Sequence, residues 1–212
     1  MAAVLNIGGP QRASGEAIDS VVASVGNLAI TASDVAQEYR LERFLDGQWP
    51  APPANAAALA AAREHLTYQV LLTREENPGP DDTAASEKSA ALRLASLRHD
   101  YPHPGEFQRA LNELGVTETE LLARIAQQDL MLRLIDERLR PAASPTDEAI
   151  DEYYRSTFVP EFEKRNSGAA PPPRADVESG IREVLLQKRI NELLDQWIEE
   201  LKPTTNVRFH GN

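Results

Sequence analysis

His65, His99, His103 and His210 are the imidazoles this 212-residue chain offers for acid–base or metal chemistry. Only His99 and His103 have the spacing that places two ligands on one face of a helix. Pro102 lies between them and Pro104 follows, so the helix that would align them ends there and the pair reads as a solvated turn. Paired carboxylates recur at Glu75-Glu76, Asp81-Asp82, Asp147-Glu148 and Glu199-Glu200. They fall at helix starts or on polar faces, where capping and solubility account for them. Cysteine is absent, which removes disulfides, thiolate zinc sites and thiol nucleophiles together. Gly8-Gly9 and Gly26 lack the spacing and the following lysine of a phosphate cradle, and no Gly-x-Ser-x-Gly elbow occurs. No catalytic constellation, metal or cofactor is expected, and the residues favour binding over catalysis.

Binding candidates are apolar. Phe44, Leu45 and Trp49 fall at one helix end, Tyr101 and Phe107 around a turn, and Tyr154 and Phe158 beside a Pro-rich break. A helical aromatic stripe such as Tyr153, Tyr154 and Phe158 is more often core than surface. Trp49, in a Pro-flanked loop, stands open between a core role and an exposed contact. Lys plus Arg is 22 against 33 Asp plus Glu, a formal charge of -11 with no basic cluster, so nucleic acid is not an expected partner. No apolar run approaches the ~20 residues that cross a bilayer, so no membrane insertion is expected.

The elements that must position these residues are mostly helical. Residues 1 to about 17 mix Gly, Pro and polar types without a period and read as a loose arm. Val21–Val25 and Leu28–Ile30 flank Gly26-Asn27, where both residues tolerate the positive φ of a primed turn, and predict a hairpin. Thr31 with Asp34 resembles a capping box for a helix from about Ser33 to Asp46. A second helix starts at Ala54 or Asn55. A third, capped by Asp81 or Asp82, runs from Thr83 to about Asp100 with Ala91, Leu92 and Ala95 as its stripe and Leu94 and Leu97 to the side. A short helix from Glu106 to Leu114 ends at Gly115. Thr117 with Glu120 opens the clearest helix, with Leu121, Ile125, Leu132, Ile135 and Leu139 on one face and Pro141 as its stop. A further helix follows Ser144-Pro145. Residues 163–173 form a stiff linker, and Arg174–Lys202 a long helix ended by Pro203. Its apolar stripe changes face part-way, so it packs on two surfaces in succession. Val207–His210 reads as a short strand, which needs a partner and finds only the N-terminal hairpin. The expected fold is mostly α: a multi-helix core with a small sheet joining the chain ends, residues 18–212 forming one domain.

"VVASVGNLAITASDV" (21–35), "LNELGVTETELLARIAQQDLMLRLIDERLRPAASPTDEAIDEYY" (111–154) and "VLLQKRINELLDQWIEELKPTTNVRF" (184–209) together resemble the SurA-like periplasmic chaperones. The first is similar to that family's opening hairpin and helix start, the second to its chaperone-domain helices, and the third to its returning helix and closing strand. Relatives carry one or two parvulin-type prolyl isomerase domains before the closing helix, each of roughly a hundred residues. Here only the stretch around 163–173 stands in that place, and the paired histidines of a parvulin are not present. The resemblance therefore implies ATP-independent holding of unfolded or extended polypeptides without isomerase activity. The implied clients are outer-membrane β-barrel precursors in the periplasm, with an export signal cleaved from the native protein; a cytoplasmic home is the alternative. Phe44, Leu45, Trp49, Tyr101, Phe107, Tyr154 and Phe158 are the candidate client contacts. The rivals are a scaffold binding one folded partner, and an enzyme using His99 and His103 with nearby carboxylates. The face-switching long helix is also a candidate homodimer surface.

Overall fold

The computed structural model describes residues 19–166 and 168–210. The proposed arm at residues 1–17 lies outside them. Strands β1 (Val21–Val25) and β2 (Leu28–Thr31) form the hairpin, in which Gly26 alone takes a positive φ, 61°. Asn27 does not share that conformation. Helix α1 (Ala32–Leu45) starts one residue before the expected position, with Thr31 as its cap. The Thr31 hydroxyl accepts from the Asp34 N–H at 3.2 Å, and the Asp34 carboxylate accepts from the Thr31 N–H at 2.8 Å. Aspartate therefore does the work of the usual glutamate in this capping box. Asn55 caps α2 (Ala56–Thr73) through the Ala58 N–H at 2.8 Å.

Helix α3 (Pro80–His99) begins upstream of Thr83. Gly79 is its cap, Pro80 fills the first position with its preset φ, and Asp82 accepts from the Gly79 N–H at 3.0 Å. Its buried face is Ser86, Ala90, Leu94 and Leu97, whereas Leu92 is 67% exposed, so the expected Ala91–Leu92–Ala95 stripe is the wrong one. Ser86 and Ser89 donate to Asp129 on the facing helix, at 2.7 and 3.0 Å, and fix that orientation. Helix α4 (Glu106–Leu114) ends at Gly115, φ 80°. Helix α5 (Glu118–Ala143) carries the full Thr117–Glu120 capping box but passes Pro141. In a last turn the proline forfeits only one backbone bond. The chain leaves the helix at Ser144, ψ 121°, because the residue before Pro145 is disfavoured in the α region.

Thr146 caps α6 (Asp147–Tyr153), which continues through a widened π turn (Tyr154–Phe158) into α7 (Val159–Arg165). Pro160 lacks the N–H that a regular helix would use there and crowds the preceding turn, which is the cause of the widening. The expected linker at 163–173 is thus shorter, since α7 reaches Arg165. Helix α8 (Arg174–Thr205) spans 32 residues, roughly 48 Å. It runs past Pro203 and ends at Asn206, φ 56°, a left-handed position that asparagine tolerates. Strand β3 (Val207–Phe209) follows and pairs with β1, Ala23 opposite Phe209 and Val25 opposite Val207. The sheet order is β2-β1-β3, antiparallel throughout, so both ends of the described chain meet on β1.

Helix α1 contributes to two cores. Val35 and Tyr39 join the sheet, α2, Leu139 and the Leu186–Ile198 part of α8, while Leu41, Phe44 and Leu45 join α3, α4 and the start of α5. Helix α8 packs on α6 with its first part and on α5 and α2 with the rest, which is the reason for its change of face. Ile181, Leu186, Ile190, Trp197 and Ile198 of that surface are buried within the chain, while Val184 is 50% exposed. Leu132, assigned from sequence to the buried face of α5, is 63% exposed. Among the described residues no helix is long and apolar enough to cross a membrane.

Candidate functional site

Small residues at helical spacing open a trough. Ala32 and Ala36 on α1 and Ala56 and Ala60 on α2 place methyl groups where larger side chains would fill the space between the helices. One chamber, of about 720 Å³, is lined by these residues with Val22, Val35, Leu59, Arg63, Phe209 and His210. A second, of about 410 Å³, lies between α1 and the loop from Trp49 to Ala54. Ala36 and Leu59 line both, so the two chambers adjoin, and together they are called the trough. Volumes of this order suit a few side chains of an extended ligand.

Each end is held by specific contacts. The Tyr39 hydroxyl donates to the Pro52 carbonyl at 3.0 Å and pins the Pro-rich loop to α1. Trp49 packs edge-on against Phe44, centroids 5.7 Å apart, and the Arg40 guanidinium lies 5.5 Å above its indole. Arg40 also donates to the Glu113 carbonyl on α4. At the far end Phe209 is 47% exposed, with the Arg63 guanidinium 5.0 Å above its ring. His210 is tied to the Ser24 hydroxyl at 3.0 Å.

Of the candidate client contacts, Trp49 alone lines the trough, and of the four histidines, His210 does. Phe44, Leu45 and Phe107, expected to be exposed contacts, are instead buried in the second core. Tyr101 is half-buried at the edge of that core, stacked on Phe44 at 6.0 Å. Tyr154 and Phe158 are half-buried elsewhere, stacked at 5.7 Å and continued by Phe162 at 6.1 Å, and the Tyr154 hydroxyl donates to the Pro172 carbonyl. Sequence reading passed over Ala36, Leu59, Ala60 and Arg63. The available signal was alanine repeated every fourth residue on two successive helices, a pattern that reads first as helix propensity.

His99 closes α3 and His103 lies in the next turn, both exposed. Among the described residues the one grouped set of potential ligands is Glu38, Glu42 and His65, with ligand atoms within 4.8 Å of one another. Glu38 is buried, and one of its oxygens already takes Arg124 of α5 and, at 2.9 Å, the Gln69 amide. A guanidinium on that oxygen is a cation already in place, so the set acts as a polar clamp between α1, α2 and α5. His65 Nδ1 bonds Glu42, and this bond is the largest cause holding the imidazole above its ordinary range. Burial opposes the shift, and the charges of Glu42 and Glu38 add to it.

Comparison with protein-family models, with curated proteins and with solved structures finds no match to this chain.

Proposed function

We propose that the protein is an ATP-independent holding chaperone that binds extended, apolar polypeptide segments in the trough along α1 and α2. The observation that carries this reading is the adjacency of two apolar chambers that share Ala36 and Leu59 in their walls. An open, mostly apolar channel accepts varied side chains, and several weak contacts along one extended client add up to useful retention. The formal charge of -11 keeps a loaded complex from associating with others. The resemblance to SurA-type chaperones supports the same reading and points to outer-membrane β-barrel precursors as clients, met in the periplasm. Residues 166–173 alone separate α7 from α8, a length that holds no isomerase domain, and on this reading the protein does not isomerise proline bonds.

The test is light scattering from an unfolded outer-membrane β-barrel protein diluted out of urea, with a proline-peptide isomerisation assay alongside. Suppression near equal stoichiometry without ATP, and no isomerase rate, is expected. Ala36→Trp fills the point where the chambers join. Burial of a large apolar side chain is worth about 1.5–3 kcal/mol, so excluding one client side chain weakens holding about 10- to 100-fold. Suppression by Ala36→Trp equal to wild type would remove the trough from the account.

A further inference from the structure

Three arginines, at 43, 63 and 124, have a buried Nε without a hydrogen-bond or ion-pair acceptor among the described residues. Arg43 and Arg124 nevertheless hold carboxylates through their terminal guanidinium nitrogens. Arg63 holds none among the described residues, nor a carbonyl. It lies over Phe209 on the wall of the larger chamber, at the end away from Trp49. Among the described residues, Arg63 is thus a cation without an anion on the wall of an apolar channel in an acidic protein.

Resting on the trough reading above, we propose that this end of the trough takes the chain end of an extended polypeptide, its terminal carboxylate on Arg63 and its last apolar side chains against Leu59, Ala60 and Phe209. The charge complementarity is direct. A guanidinium presents paired N–H donors in the geometry a carboxylate accepts, and the surrounding apolar wall strengthens the bond. A terminal carboxylate also has no stem of its own, so it reaches Arg63 while the preceding side chain still enters the chamber. An internal aspartate spends its side chain on the ion pair and leaves that part of the chamber unfilled.

The test is fluorescence anisotropy with three peptides labelled at the N-terminus: one extended apolar heptapeptide as the free acid, its C-terminal amide, and the amide with an internal Asp. A charge-assisted bond predicts the free acid binding about 10-fold or more tightly than the amide, with the preference shrinking as salt is raised. Arg63→Gln brings the free acid down to the amide's affinity, Arg63→Lys retains part of the preference, and melting curves establish that both variants are folded. Equal binding of acid and amide by wild type would overturn the assignment of Arg63 while leaving the trough reading in place. So would a preference that survives Arg63→Gln, or an internal-Asp peptide as tight as the free acid. Binding of none of the three would overturn the trough reading itself.

Discussion

Arg124→Met isolates the Glu38 carboxylate. In the native protein Glu38 is 5% exposed, held by Arg124 and by the Gln69 amide at 2.9 Å, with His65 Nδ1 3.8 Å away. Unit charges about 4 Å apart attract by about 4 kcal/mol at an effective dielectric of about 20. Removing one partner of a buried pair costs about 3–5 kcal/mol, because the other charge is left uncompensated. His65 replaces part of the lost charge, which places the loss at the lower end, about 3 kcal/mol. In a chain of this size that lowers the thermal midpoint by about 6–12 °C. The double variant Glu38→Gln/Arg124→Met removes both charges and returns to within about 1 kcal/mol of wild type. Circular-dichroism melts and urea titrations of the four proteins complete the cycle. An Arg124→Met midpoint within about 2 °C of wild type, or a double variant no more stable than Arg124→Met, would refute an uncompensated buried charge as the cause.

A folded His65 pKa above the unfolded value of about 6.5 gives stability that is fully present below that pH and lost as pH rises through the folded pKa. Urea titrations should therefore show the gap between wild type and His65→Phe shrinking as pH rises above about 6.5, and a gap independent of pH contradicts the ion pairing. Gly26→Ala forces a side chain into φ 61° and puts its Cβ 3.1 Å from the Arg74 guanidinium and 3.5 Å from the Thr205 carbonyl. The expected cost is about 1–2 kcal/mol, read as a midpoint lower by about 2–8 °C. Phe44→Leu should cost about 1–2 kcal/mol in the second core yet leave aggregation suppression intact below its midpoint, whereas Ala36→Trp keeps the midpoint and loses suppression. Scattering and melting measured on both variants check the contrast.

Capping and turn chemistry carried most of the fold into the sequence. Thr31, Asn55 and Thr117 start their helices and Gly115 ends one, because each satisfies a backbone group with its own side chain or conformation. The pairing of β3 with the N-terminal hairpin followed from a simpler constraint, that a short strand needs a neighbour, though not which hairpin strand it takes. Proline was less informative. Pro141 and Pro203 sit inside last turns, where the missing N–H costs one bond and the true ends fall at Ser144, before Pro145, and at the left-handed Asn206. The buried face of α3 was hidden because its orientation is set by Ser86 and Ser89 on Asp129, a long-range polar contact with no apolar period. The trough was hidden for a related reason. Large apolar residues advertise themselves, and Phe44, Leu45 and Phe107 belong to the core, whereas a binding channel is made where side chains are small.

Site-specific photo-crosslinking to an unfolded β-barrel client tests the trough most directly. A benzophenone side chain is placed at Ala60 on the trough wall and, as a control, at Leu92, an exposed apolar position on α3 outside it. The account predicts abundant client adducts from position 60 and few from position 92. Equal adducts from the two positions, or adducts from position 92 alone, would contradict it.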